Sequence, residues 1–111
     1  MGVRFDQQDA ITIGSLSGEI DGKTSPEIQE AFLPVLAESK VLVLDMKEVT
    51  FLSSAGLRML LYVYRQTQAG DCRVALSGLD EQLRDTMTIT GFIGFFEVYE
   101  HLDEAVAALK G

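Results

Sequence analysis

The sequence holds one cysteine, one histidine, two prolines and no tryptophan. A single thiol, Cys72, closes no disulfide within the chain, and its place at the start of an apolar run reads as a buried strand residue in a reducing compartment. A redox role is the lesser reading, since the chain has no second thiol to resolve an oxidised Cys72. One histidine and one cysteine far apart in the chain form no cluster with metal-ligand spacing, so no metal site is expected. No run approaches the roughly 20 apolar residues that span a bilayer. Met1 to Asp9 is polar and mixed in charge, without the apolar centre of a signal peptide. Basic residues are also scarce: 9 Lys and Arg stand against 17 Asp and Glu, a formal charge of −8. Such a surface repels phosphate backbones, which argues against nucleic acid and for a partner with a basic face. The expectation is a soluble, cytoplasmic protein without direct membrane insertion.

What is present fits one ordered domain over residues 1–111, 47% apolar and 23% charged, with no repeats or linkers. Strand and helix patterns alternate, which predicts an α/β fold. Val3 to Phe5 reads as a short edge strand. Ile11 to Leu16 reads as a second, with a phase slip after Ile13 that a bulge at Gly14 would absorb. Gly18 to Gly22 follows as a turn. Thr24-Ser25-Pro26-Glu27 starts a helix, either by a Thr24–Glu27 capping box or by a Ser25 cap before Pro26. Pro34 inside that helix predicts a kink or early break. Val41 to Leu44 is a continuous apolar run suited to a strand covered on both faces. Met46 to Leu52 reads as a loop with Val49 and Phe51 pointing inward.

Ser53 or Ser54 then caps a second helix, with Leu57, Leu60, Leu61 and Tyr64 on one stripe and Gly70 at its end. Arg73 to Leu76 is a strand, Ser77 to Thr88 a helix with Leu83 and Met87 inward, Gly91 to Gly94 a loop, and Phe95 to Tyr99 the last strand. Asp103 and Glu104 open a final helix, where negative charge meets the positive end of the dipole. Phe92, Ile93, Phe95 and Phe96 form an apolar cluster. Core packing accounts for it, and any exposed part would be available for self-association.

Two sequence matches to active-site motifs fail on inspection. Gly22-Lys23-Thr24 ends like a phosphate-binding loop, but Ser17 occupies the place of the required first glycine. Glu19 and Asp21 would also oppose the phosphates. Ser54-Ala55-Gly56 resembles the end of a hydrolase nucleophile elbow, but Leu52 stands where that turn needs glycine. His101, the lone histidine, reads as a surface residue before the last helix. Asp21 and Asp45 both follow strands and read as turn residues that accept nearby backbone N–H groups, rather than as a catalytic pair. No enzyme activity and no cofactor are expected.

The segment from Val41 to Leu57 carries more information. It delivers a serine hydroxyl to a helix start, where free N–H donors and the dipole favour a phosphoryl group. The same serine also fits a plain N-cap. The chain resembles the STAS domain of anti-sigma factor antagonists. The resemblance rests on Gly18-Glu19-Ile20-Asp21, on Leu44-Asp45 with Val49, Phe51 and Ser54-x-Gly56-Leu57, and on Thr90-Gly91-Phe92 with Glu104-Ala105-Val106.

That resemblance implies a mixed β-sheet of four to five strands with about four helices packed against it. It also implies partner switching: the unphosphorylated antagonist binds an anti-sigma factor that is also a serine kinase, the kinase phosphorylates it, and a serine phosphatase resets it. The acceptor corresponds to Ser54. Members often carry aspartate just before the acceptor, and here Ser53 occupies that place and is the alternative acceptor. The partner face implied comprises Asp21, Gly22, Ser53, Ser54, Ala55 and Leu57. The family also includes lone domains held, without phosphorylation, in transporter or stress-signalling complexes.

Overall fold

The computed structural model describes residues 2–110. One five-stranded sheet has the order β1-β2-β3-β4-β5. β1 (Val3–Gln8) and β2 (Ile11–Ile20) form an antiparallel hairpin. Its tight turn places Asp9 at φ 56, a left-handed conformation that aspartate tolerates better than most residues. β3 (Val41–Leu52), β4 (Arg73–Ser77) and β5 (Glu97–Tyr99) continue the sheet in parallel. Parallel neighbours require crossovers, supplied by α1 (Ser25–Glu38), α2 (Ser54–Ala69) and α3 (Glu81–Ile89) with a 3-10 turn at Phe92–Phe95. α4 (Leu102–Leu109) closes the described chain. The mixed sheet with four helices matches the expected α/β architecture.

The sheet is buried on both faces. Leu16, Leu42, Leu44 and Leu76 pack with Phe32, Leu60, Val63 and Met87 on one side. Ile11, Ile13, Val43 and Ala75 pack beneath Ala105, Val106 and Leu109 of α4 on the other. This division explains the change of phase after Ile13: Ile13 and Leu16 serve opposite faces, and no bulge is needed. Gly14 stays in register with Phe5 and Leu44, correcting the expected bulge. A Cβ there would sit 3.2 Å from the rings of Phe32 and Phe5, so glycine leaves room for those rings to meet edge to face.

The bulges lie on β3 instead. Ser15 and Ser17 pair with Asp45 and Glu48, and Gly18 and Glu19 pair with Val49 and Phe51, so β3 takes an extra residue twice. Its buried positions Met46, Val49 and Leu52 therefore fall three apart and disguise a strand as a loop. Residues 46–52 are strand, β2 runs through Gly18–Ile20 where a turn was expected, and Phe51 is 51% exposed rather than inward.

Pro34 does not break α1, which runs unbroken to Glu38. Pro34 and the residue four before it, Glu30, are both exposed, so water can meet the carbonyl that loses its donor. α3 begins at Glu81, not Ser77: Ser77 is the buried end of β4, and Asp80 caps the helix by accepting from the Leu83 N–H at 2.8 Å. Asp80→Ala is expected to cost about 1 kcal/mol of stability, the usual worth of a side-chain cap, and denaturant unfolding measures it. The segment Gly91–Gly94 is largely a 3-10 turn, which shortens β5 to three residues. Arg73 holds that short strand through two contacts of 2.7 Å to the Glu97 carboxylate. Of the aromatic cluster, Phe96 is buried, while Phe95 lies partly exposed against Tyr64 with ring centroids 5.2 Å apart.

Candidate functional site

β2 and β3 end side by side, with Ile20 paired to Leu52. The chain then turns into α1 from one strand and α2 from the other. The Ser53 N–H donates to the Ile20 carbonyl at 2.9 Å, which joins the two turns. They meet at the carboxyl edge of the parallel strands, the edge at which α/β sheets generally present functional residues.

Ser53 is extended and is the N-cap of α2; its Oγ accepts from the Gly56 N–H at 3.2 Å. Ser54 is the first helical residue and is exposed. The adjacent serines thus divide two tasks that sequence alone leaves open: Ser53 satisfies the helix start, and Ser54 presents its side chain to solvent. The first turn of α2 holds no acidic residue, so no carboxylate of the helix itself offsets the positive end of its dipole. Arg58, four residues beyond Ser54, is exposed on the same side of the helix. Gly56 is packed against the end of β2, where a Cβ would meet the Ile20 carbonyl oxygen, and Ala55 is partly exposed beside it. Leu57, expected at the partner face, is 5% exposed in the core and offers that face no side chain.

The β2–α1 turn is organised by Asp21. Its Oδ1 accepts from the backbone N–H groups of Lys23 at 2.9 Å and Thr24 at 3.1 Å. The Thr24 hydroxyl accepts from the Asp21 N–H at 2.9 Å and donates to the Glu19 carbonyl at 2.8 Å. Neither expected cap therefore forms: Thr24 is spent on the turn, and Ser25 is buried with no partner for its Oγ among the described residues. Gly22 is exposed at the tip.

The N–H donors of Thr24 and then Lys23 hold the Asp21 carboxyl below the usual aspartate range. A carboxyl lowered by folding stabilises the native state above its unfolded pKa. That contribution fades as pH falls through the lower folded value. A carbon-detected NMR titration is expected to place the Asp21 midpoint below that of a model peptide. Asp21→Asn should flatten this part of the acid limb.

Other sequence candidates lie apart from this turn. Asp45 pairs with Ser15, and the six residues from there to Asp21 correspond to about 20 Å of strand, so the two carboxylates form no pair. Asp45 accepts from the Lys47 N–H at 3.2 Å. It lines, with Lys47 and His101, a groove of about 1010 Å³ beside α4. His101 is an exposed cap of α4, its N–H donating to the Glu104 carboxylate at 3.1 Å. Sequence reasoning missed the exposure of Phe51; the three-residue spacing of Met46, Val49 and Leu52 was the available signal.

Fold and site together define a one-sheet α/β domain that exposes a serine at the head of its second helix, beside an aspartate-organised turn. The STAS domain model matches residues 3–105, and the chain belongs to that family. It is 29% identical over 111 residues to BtrV of Bordetella bronchiseptica, by its name a candidate anti-sigma factor antagonist, covering 99% of this chain and 96% of that protein. It is 30% identical over 84 residues to an anti-sigma-B factor antagonist of Listeria monocytogenes, covering 75% of this chain and 74% of that one. The crystal structure of an anti-sigma factor antagonist from Mycobacterium paratuberculosis superposes with a TM-score of 0.89 at 29% identity, covering 98% of this chain and 93% of that one.

Proposed function

We propose that this chain is an anti-sigma factor antagonist that switches partners by phosphorylation of Ser54. The carrying observation is the division of labour at the head of α2: Ser53 is engaged as the cap, and Ser54 is exposed at the first helical position. In the unphosphorylated state this edge binds an anti-sigma factor that is also a serine kinase. In the transfer, the Ser54 Oγ bonds to the γ-phosphorus of ATP, the bond to the bridging oxygen breaks, ADP leaves, and the hydroxyl proton passes to a base on the kinase. This chain contributes the nucleophile and its presentation; the kinase contributes the nucleotide site.

A phosphate at this position meets the N-terminal dipole of α2 and lies one turn from Arg58, so the modified domain keeps its fold. The cost falls on the partner, which would have to bury roughly −1.5 to −2 charge without matching donors. A serine phosphatase then restores the hydroxyl.

The test is incubation with the cognate kinase and MgATP, followed by peptide mapping by mass spectrometry. Phosphate on Ser54 supports the reading, and phosphate on neither Ser53 nor Ser54 removes the switch. The replacement of the family's preceding aspartate by Ser53 favours a second reading, a STAS subunit held permanently in a transporter or stress-signalling complex. A stoichiometric complex indifferent to Ser54→Asp would select that one.

A further inference from the structure

The sheet has two edges among the described residues, and they differ. β5 is three residues long, and so short a strand gives another chain little to pair with. β1 is six residues long, holds no lysine or proline and pairs with β2 in unbroken register, so its guards are two charges, Arg4 and Asp6. The direction of its backbone groups is fixed. The Ser17 N–H donates to the Gly2 carbonyl at 2.9 Å, which makes the even residues of this arm the ones hydrogen-bonded to β2. The N–H and C=O groups of Val3, Phe5 and Gln7 therefore point outward along the free edge. Phe5 packs on Phe32 beneath α1, whereas Asp6, paired with Ile13, shares the α4 face with Arg4. Both charged side chains are exposed, 3.7 Å apart.

Those charges discriminate between registers. An antiparallel partner that uses the free groups must set outward residue against outward residue. For a second copy of β1, a two-fold centred on Arg4 opposes Arg4 to itself, and one centred on Asp6 opposes Asp6 to itself. A two-fold centred on Phe5 sets Arg4 of each copy against Asp6 of the other, Val3 against Gln7, and Phe5 against Phe5. Opposite charges in facing positions stabilise a ladder, and like charges weaken it. We propose that two copies of this chain join β1 to β1 about a two-fold at Phe5, making one ten-stranded sheet. Other charges do not change that choice. Asp9 lies in the hairpin turn, beyond the last pair, and faces Lys110 at 3.4 Å. Val35 and Glu38 of α1 border a cleft of about 340 Å³ beside Phe5 and Gln7, and helical spacing puts Glu27 on the same side. The two-fold brings Glu27 of each copy toward Glu38 of the other. These carboxylates are exposed and act through water, so they and the charge of −8 weaken the contact without favouring another register. A seam this short, with that repulsion, corresponds to a Kd on the order of 10–100 µM. The inference is independent of the partner-switching reading, since the two Ser54 turns fall at opposite ends of the joined sheet, away from the seam.

Sedimentation equilibrium of the full chain, from about 1 µM to about 1 mM at about 0.15 M salt, reads the association. The variants are Arg4→Asp, Asp6→Arg, the exchange Arg4→Asp/Asp6→Arg, and Gln7→Pro, which removes an outward N–H and leaves the bonds to β2 in place. Circular dichroism melting checks each fold. The parent is expected to be dimeric at the top of the range. Each single charge variant should weaken dimerisation about tenfold, and the exchange should restore it to within about twofold of the parent. Asp6→Arg separates register from overall charge: it makes the chain less negative, so a contact governed by net repulsion would tighten instead. Gln7→Pro should also dimerise less tightly, and the charge variants carry the test if it does not fold. Amide exchange followed by NMR should slow at Val3, Phe5 and Gln7 as concentration rises. A parent monomeric to about 1 mM would overturn the inference. So would a dimer that tightens with Asp6→Arg, or one that leaves the exchange of those three amides unchanged.

Discussion

Replacing Gly56 by alanine is expected to destabilise the domain by about 2 kcal/mol, within the range for forcing extra volume into a packed contact, and to lower its melting temperature by about 10 °C. The sign is the informative part. In a free helix, glycine to alanine adds up to about 1 kcal/mol of stability. Here a Cβ would stand 2.6 Å from the Ile20 carbonyl oxygen and 2.7 Å from Leu52 Cδ1. The first neighbour is backbone at the end of a strand and cannot step aside. That same carbonyl accepts from the Ser53 N–H, so displacement of α2 also disturbs the serine turn. Denaturant unfolding measures the loss. An unchanged or raised midpoint would mean that the close approach of α2 to β2 is wrong.

Ser54→Asp is expected to abolish binding of the anti-sigma factor, weakening it about 100-fold or more, because burying one uncompensated charge costs several kcal/mol. Ser54→Ala should bind like the unmodified chain and stay bound in the presence of kinase and ATP. Loss of fold is not the cause expected for the aspartate variant. A carboxylate at the first helical position favours the helix by about 0.3–1 kcal/mol, so its melting temperature should hold or rise. Calorimetric titration beside thermal melting separates the two effects. Full-strength binding by Ser54→Asp would place residue 54 outside the contact.

The strand–helix alternation and the two-faced burial of Leu42, Val43 and Leu44 were legible because each element is marked by its own short-range pattern. The position of a serine at the head of α2 was legible for the same reason. The second half of β3 was not. Two bulges turn its period of two into a spacing of three, and a bulge is a property of the pairing with β2, absent from either strand alone. Phe51 was misplaced by the same bulges, whereas Leu57 lies in the core as its place on the apolar stripe of α2 indicates, and not on the partner face that the family resemblance implies. The start of α1 was legible, but its capping was misread, because the Thr24 hydroxyl closes the turn with Glu19 and Asp21, a set of bonds that depends on where β2 ends. Ser53 and Ser54 could not be told apart from spacing; the hydrogen bond from Gly56 to Ser53 distinguishes them.

One titration tests the account most directly. The anti-sigma factor is added to the unmodified chain, to the same preparation phosphorylated by its kinase, and to that material after phosphatase treatment. Strong binding, its loss, and its return should follow in that order, with mass spectrometry locating the phosphate on Ser54. Equal affinity across the three samples, with Ser54 fully phosphorylated in the second, would contradict the central claim.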